Sequence, residues 1–288
     1  MKKEYLYAGM SILLWSTIAT VTKLMLGSLS SMQILFVSSL FAFLFLLIVC
    51  LFKGCLKELK EYKIKDYFDI TLIGSLGLFW YNLFLYVGID KMDASQAFII
   101  NYLWPIMSVV FACIIVGERL TLRKVLAIFI SFVGVVIVAG GDLVNLNKGF
   151  LTGALLCVAG AVCYGIFTGF NQKYKFDKKI SMMMNYAATF VITTVINAFR
   201  GNLFIPNVIQ TMGIMWNGIF TMAIACTAWI LALSSGNTAK ISNLAYITPF
   251  LSLVWTFFIL GEEIALTSVA GLVVIVFGIF IQLKENKK

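Results

Sequence analysis

Displaced against itself by 144 residues, half of its length of 288, this chain lays Tyr102, Pro105, Ser108, Gly117, Glu118 and Gly134 over Tyr246, Pro249, Ser252, Gly261, Glu262 and Gly278. Across 94–138 against 238–282, 11 of 45 ungapped positions are identical. Apolar matches are cheap between hydrophobic segments, but matched Tyr, Pro and Gly-Glu are not. The chain is therefore expected to hold two copies of one unit, 1–144 and 145–288. Such duplications build transporters whose binding site lies at the seam between copies.

The setting of those copies follows from what surrounds them. Apolar residues make up 61% of the chain, charged ones 12%, and mean hydropathy is +0.98, which leaves too little polarity to cover a water-facing surface. A hydrocarbon core about 30 Å thick takes roughly 20 helical residues to cross. Such runs fall at 6–26, 32–52, 69–88, 95–116, 124–141, 150–172, 182–200, 209–232, 239–260 and 266–283. The expected fold is all-α and integral to the membrane, with ten transmembrane helices, five per copy. Five is odd, so the second copy crosses in the opposite sense and the repeat is inverted.

Charge tests this orientation. With the N-terminus inside, 18 Lys and Arg lie on the inner side, Lys91, Lys148 and Arg200 lie outside, and Lys23 falls within the first run. That bias predicts a multi-pass protein of the cell membrane with both termini cytoplasmic. The net charge of +9 thus reads as membrane topology, with the lipid bilayer as partner and no nucleic acid. No small-residue cleavage site follows Met1-Lys2-Lys3-Glu4 and the first run, so no cleavable leader is expected.

Catalytic and metal chemistry have little to work with. There is no histidine; Cys113, Cys157, Cys163 and Cys226 fall in apolar runs, and Cys50 and Cys55 lie at a lysine-rich inner end. No disulfide framework, metal site, cofactor or activated nucleophile is expected, and no enzyme. Asp69, Glu118, Glu262 and Glu263 all lie near run ends. Without an acid in mid-membrane, facilitated or potential-driven movement is expected rather than proton antiport. Gly117-Glu118 and Gly261-Glu262 end the fourth and ninth runs on opposite faces. Each glycine is expected to pack or terminate a helix, and each carboxylate to sit near the start of the next helix. Lys23 is expected to snorkel to the outer interface, with facing a substrate carboxylate or an outer gate as its alternative. Lys240 reads as a topology charge.

The runs carry aromatic rings interleaved with amides and hydroxyls, and an amide in hydrocarbon needs a partner or a wet cavity. The candidate substrate-binding residues are Trp15, Tyr81, Asn82, Asn101, Tyr102, Trp104, Tyr164, Trp229, Asn243 and Tyr246. Pro105 and Pro249, matched in the two copies, are expected to kink helices beside that cavity. Rings such as Tyr5, Tyr7, Tyr62 and Tyr67 read instead as interfacial belt residues. Gly153, Gly160, Gly165 and Gly169 line one run at intervals that allow close helix approach.

The order Leu14-Trp15-Ser16-Thr17, Asn101-Tyr102-Leu103-Trp104-Pro105, Gly117-Glu118-Arg119-Leu120, Ala228-Trp229 and Tyr246-Ile247-Thr248-Pro249 resembles the drug/metabolite transporter superfamily. Within it the chain is similar to the ten-helix group with paired EamA-type domains, and most of all to bacterial aromatic amino acid and paraquat exporters. The resemblance implies alternating-access export of amino acids, aromatic ones first, with Trp15, Tyr102, Trp104, Trp229 and Tyr246 at or near a central cavity. Tyr164 stands where members often carry tryptophan, which could shift selection toward smaller side chains. Efflux of cationic or aromatic drugs such as paraquat, or carriage of another metabolite on the same fold, is the alternative.

Overall fold

A bilayer interior offers no water to main-chain groups, so a crossing segment must close its own hydrogen bonds, as an α-helix does. The computed structural model describes residues 3–117, 121–144, 148–174, 176–235 and 244–283, and among them there is no strand. The helical rods are α1 (Lys3–Leu26), α2 (Ser31–Lys53), α3 (Ile64–Lys91), α4 (Ala94–Ile115), α5 (Leu122–Val144), α6 (Lys148–Lys173), α7 (Lys178–Phe199), α8 (208–235), α9 (Ile247–Leu260) and α10 (Leu266–Leu283). Seven of them are long and apolar enough to span a membrane; α5, α9 and α10 have shorter apolar cores at Val125–Val138, Ile247–Leu260 and Leu266–Gly278. Several rods run past the expected apolar runs because hydropathy detects only the core. Helix α3 begins at Ile64, five residues early, where the Asp66 carboxylate accepts the Lys63 N–H at 2.7 Å.

Helix ends are set by local chemistry. Ser30 and Asn207 cap α2 and α8 reciprocally with Gln33 and Gln210. Asp177 accepts the Lys179 and Ile180 N–H groups at the head of α7. Gly117 and Gly261 both adopt left-handed backbone, with φ of +82° and +69°, as the matched Gly-Glu pairs led one to expect of terminators. Glu118 and Lys240 lie outside the described residues.

The rods pack in a pattern that maps onto itself when each is shifted by five. Helix α6 lies on α3 and α4, and α1 lies on α8 and α9; α2 pairs with α7, and α5 with α10. The leading helix of each half is thus carried onto the other half. Glycine permits the closest of these contacts. A Cβ at Gly134 would stand 2.6 Å from Ile275, and one at Gly271 would stand 2.6 Å from the Gly134 carbonyl. Beside them Ser131 Oγ donates to the Ile275 carbonyl at 3.2 Å, joining two residues 144 apart in sequence. On α6, Gly165 meets the Met107 backbone and Gly169 that of Phe111. These are the packing contacts expected of that glycine series.

Several rods depart from regular helix near mid-membrane. Helix α1 is interrupted at Thr17, whose hydroxyl donates to the Leu14 carbonyl at 2.7 Å. Helix α4 breaks at Tyr102-Leu103, and α9 starts after a turn at Ala245-Tyr246. π-Helical turns occupy Ser75–Trp80, Trp216–Ala225 and Thr256–Leu260. Pro105 and Pro249 are not kinks within continuous helices, as expected from sequence. They lie in the first turn after a break, where a missing N–H leaves no acceptor unpaired.

The α5–α10 contact makes a direct test. Gly271→Ala forces a methyl against backbone and should cost about 1–3 kcal/mol, seen as a lower thermal midpoint in detergent. Gly9→Ala, where nothing lies within 4 Å of the added methyl, should leave the midpoint unchanged.

Candidate functional site

The irregular segments converge. Between α1, α3, α4, α6, α7, α8 and α9 lies a narrow cavity of about 60 Å³. Trp15, Tyr81, Asn82, Asn101, Tyr102, Trp104 and Tyr164 line it, and so do Tyr86, Tyr186, Thr221, Cys226 and Thr248. Among the described residues no lining side chain is charged. The break in α4 is what brings Asn101, Tyr102 and Trp104 together on the wall, because consecutive helical residues would point 100° apart.

Three rings form the core of this wall. Tyr81 and Tyr164 stand with ring centroids 4.7 Å apart, and Trp104 meets Tyr164 edge-on at 5.2 Å. Asn101 Nδ2 donates to the Tyr81 hydroxyl at 2.9 Å, while its Oδ1 is buried without a partner among the described residues. A buried amide oxygen left unpaired costs about 1–3 kcal/mol unless water or a ligand reaches it. That oxygen lies toward Gly160 on α6, so a ligand reaches it only when the wall opens.

The π turns supply extra main-chain acceptors beside the same space, as such bulges tend to do at functional sites. Trp15 Nε1 donates to the Thr221 carbonyl at 3.2 Å, and the Tyr186 hydroxyl to that of Met222 at 3.2 Å. Asn82 Nδ2 donates to the Leu78 carbonyl at 2.7 Å, so this amide serves its own helix. The Tyr102 hydroxyl donates to the carbonyl of Ala245, tying the break in α4 to the turn before α9.

Two candidates stand one layer back from the cavity. Trp229 packs on Trp15 at 5.4 Å, and Tyr246 on Tyr102 at 6.4 Å; both are buried. Asn243 lies outside the described residues. Tyr86 and Tyr186 resemble any buried ring in sequence, and nothing in the repeat pairs them, so their place on the wall had to come from the fold. Thr221 reaches the cavity from within a π turn, and Cys226 from just after it, and no periodicity announces that turn.

Charged side chains gather at the helix ends instead. Lys23 reaches the C-terminal end of α3, where its Nζ donates to the Ile89 and Met92 carbonyls at 2.8 and 2.7 Å. Glu262 was expected at the start of the next helix, α10. Its carboxylate instead accepts the Ala94 and Ser95 N–H groups at 2.7 and 3.1 Å, at the head of α4. The left-handed turn at Gly261 sends the chain off the α9 axis and toward that helix end.

Apolar membrane-length helices around an uncharged, ring-lined central cavity define a multi-pass membrane transporter. The chain belongs to the EamA-like transporter family, whose model matches it twice, over residues 2–140 and 151–283. It is 25% identical to an uncharacterized transporter of Archaeoglobus fulgidus, over 99% of this chain and all of that one. It is 23% identical to the aromatic amino acid exporter YddG of Ancylobacter novellus, over 84% of this chain and 83% of that protein. A probable terminal-alkyne amino-acid exporter of Streptantibioticus cattleyicolor is 26% identical over 67% of this chain and 65% of its own. One solved crystal structure shares the fold with a TM-score of 0.70 at 19% identity, covering 97% of this chain and 96% of its own.

Asn101→Leu tests the wall itself. It removes the donor to Tyr81 together with an unpaired oxygen, so the two costs partly offset. Membrane abundance should persist, with stability changed by no more than about 1 kcal/mol as read by thermal midpoint.

Proposed function

We propose that this protein exports amino acids, aromatic ones first, by alternating access through the central cavity. The observation that carries the reading is the aromatic wall, uncharged among the described residues, with the Tyr81, Trp104 and Tyr164 rings at its core and the buried, unpaired Asn101 Oδ1 beside them. Rings of Tyr81, Trp104 and Tyr164 would hold an aromatic side chain, each pair contributing roughly 0.5–1.5 kcal/mol beyond burial. Asn101 Oδ1 would accept from the substrate ammonium, and tyrosine hydroxyls would donate to its carboxylate. At about 60 Å³ the cavity is narrower here than small-molecule sites of about 300–1,000 Å³, so its walls must part to admit substrate.

The remainder of the sequence reading belongs with this proposal. All ten rods cross the bilayer of the cell membrane, the copies 1–144 and 145–288 are inverted, and both termini are cytoplasmic. The five-rod shift that maps the packing onto itself supports the inversion. Two rigid sets, α1/α8/α9 and α3/α4/α6, would rock against each other about the cavity. Efflux of organic cations remains the second reading, since cations sit well on aromatic faces.

Purified protein in liposomes, offered labelled tryptophan, phenylalanine, smaller amino acids and paraquat, separates the two. Saturable flux of aromatic amino acids is expected. Flux of paraquat alone would reverse the assignment. Trp104→Ala and Tyr81→Ala should each lower aromatic amino acid flux by about tenfold or more, with membrane abundance intact. Full activity in both would remove the cavity from the path.

A further inference from the structure

On the face expected to lie outside, two charged side chains cross the seam between the rocking sets. Lys23, near the end of α1, holds the Ile89 and Met92 carbonyls at the C-terminal end of α3. Glu262, just past α9, holds the Ala94 and Ser95 N–H groups at the N-terminal end of α4. Both therefore grip one hairpin, the α3–α4 pair joined through Met92-Asp93, and they grip it from the opposite set. Each charge has the sign that its helix end attracts: a cation at a C-terminus, an anion at an N-terminus. Two other bonds on this face stay within their own packing groups. Gln210 Nε2 reaches Ser28 between α8 and α1, and Gln33 Nε2 reaches the Asn202 carbonyl between α2 and the end of α7. Around the grip, Met25, Leu29, Ile89, Met92, Ala94 and Ser95 are buried, so the seam is sealed here.

We infer that Lys23 and Glu262 form the outer gate, clamping the α3–α4 hairpin against α1 and α9 while the cavity faces the other side. The inference rests on the alternating access proposed above. Hydrogen bonds carrying a full charge are stronger than neutral ones, and here four of them must break for the sets to part. Both side chains are only half-buried and lie at a membrane surface, so water can solvate each charge once the hairpin moves away. The clamp is thus strong when closed and cheap to release, as a gate requires. A role in folding alone would hold the same bonds in every state.

Cys226 lines the cavity and reports on access to it. With Cys50, Cys55, Cys113, Cys157 and Cys163 replaced by alanine, intact cells are exposed to a membrane-impermeant maleimide. Lys23→Met with Glu262→Ala should raise Cys226 labelling by about tenfold or more, the shift expected from losing charged hydrogen bonds. Lys23→Met or Glu262→Gln alone should give a smaller rise, which keeps the test available if the double variant does not accumulate. Asp90→Asn removes an exposed charge on the same face without touching the clamp and should change nothing. Unchanged labelling in every clamp variant overturns the gate, and so does an equal rise in Asp90→Asn or a rise seen only in inside-out vesicles. Labelling reads conformation and not flux. If it responds while no amino acid is transported, the gate stands and the substrate assignment falls.

Discussion

Every main-chain group freed inside a bilayer must find a partner without water, and this requirement governs where the helices are irregular. The interruption of α4 at Tyr102-Leu103 faces the turn at Ala245-Tyr246, and the Tyr102 hydroxyl bonds the Ala245 carbonyl between them. The π turn in α8 gives up carbonyls to Trp15 and Tyr186. The π turn in α3 gives one to Asn82. The residues meeting these obligations are also the residues around the cavity. Irregular backbone is tolerated there because polar partners converge on the cavity.

The exchange of leading helices has a mechanical consequence. Helix α1 belongs by sequence to the first half yet packs on α8 and α9, and α6 packs on α3 and α4 in the same manner. Each set therefore mixes both halves, and the seam between sets is not the seam in sequence. Glycine contacts between α5 and α10, closed to any Cβ, hold the two halves together at a point distant from the cavity. A pivot tight enough to exclude a methyl, with sets free to part elsewhere, suits rocking better than sliding.

Much of this was legible in the sequence because the membrane imposes simple rules. Hydropathy located the rods, and the matched Pro, Tyr and Gly-Glu pairs located the breaks and the left-handed ends at Gly117 and Gly261. Seven of the ten candidate residues, from Trp15 to Tyr164, line the cavity. Trp229 and Tyr246 fall a layer behind, because a ring's direction depends on helix rotation that an aromatic count does not carry. The π turns were illegible, since one inserted residue leaves no trace in an apolar run yet re-aims everything after it. The destination of Glu262 was hidden for another reason. Local capping rules point to the next helix, whereas the Gly261 turn delivers the carboxylate to a helix 167 residues away in sequence at Ser95.

The absence of charge from the cavity wall bears on energetics as much as on recognition. A zwitterion has no net charge, so the membrane potential does no work on it, and a concentration gradient alone can drive it outward. An organic cation leaving a negatively charged interior must climb about 2.3 kcal/mol per charge for each 100 mV. Export of that kind needs a coupled ion, and coupling needs a group that binds and releases it along the path. Among the described residues no carboxylate lines the cavity to do so. Lys23 and Glu262 are engaged with helix ends and not with the wall. An uncharged site flanked by charged clamps is suited to passing a neutral molecule, and this favours amino acids over cations on grounds independent of the ring geometry.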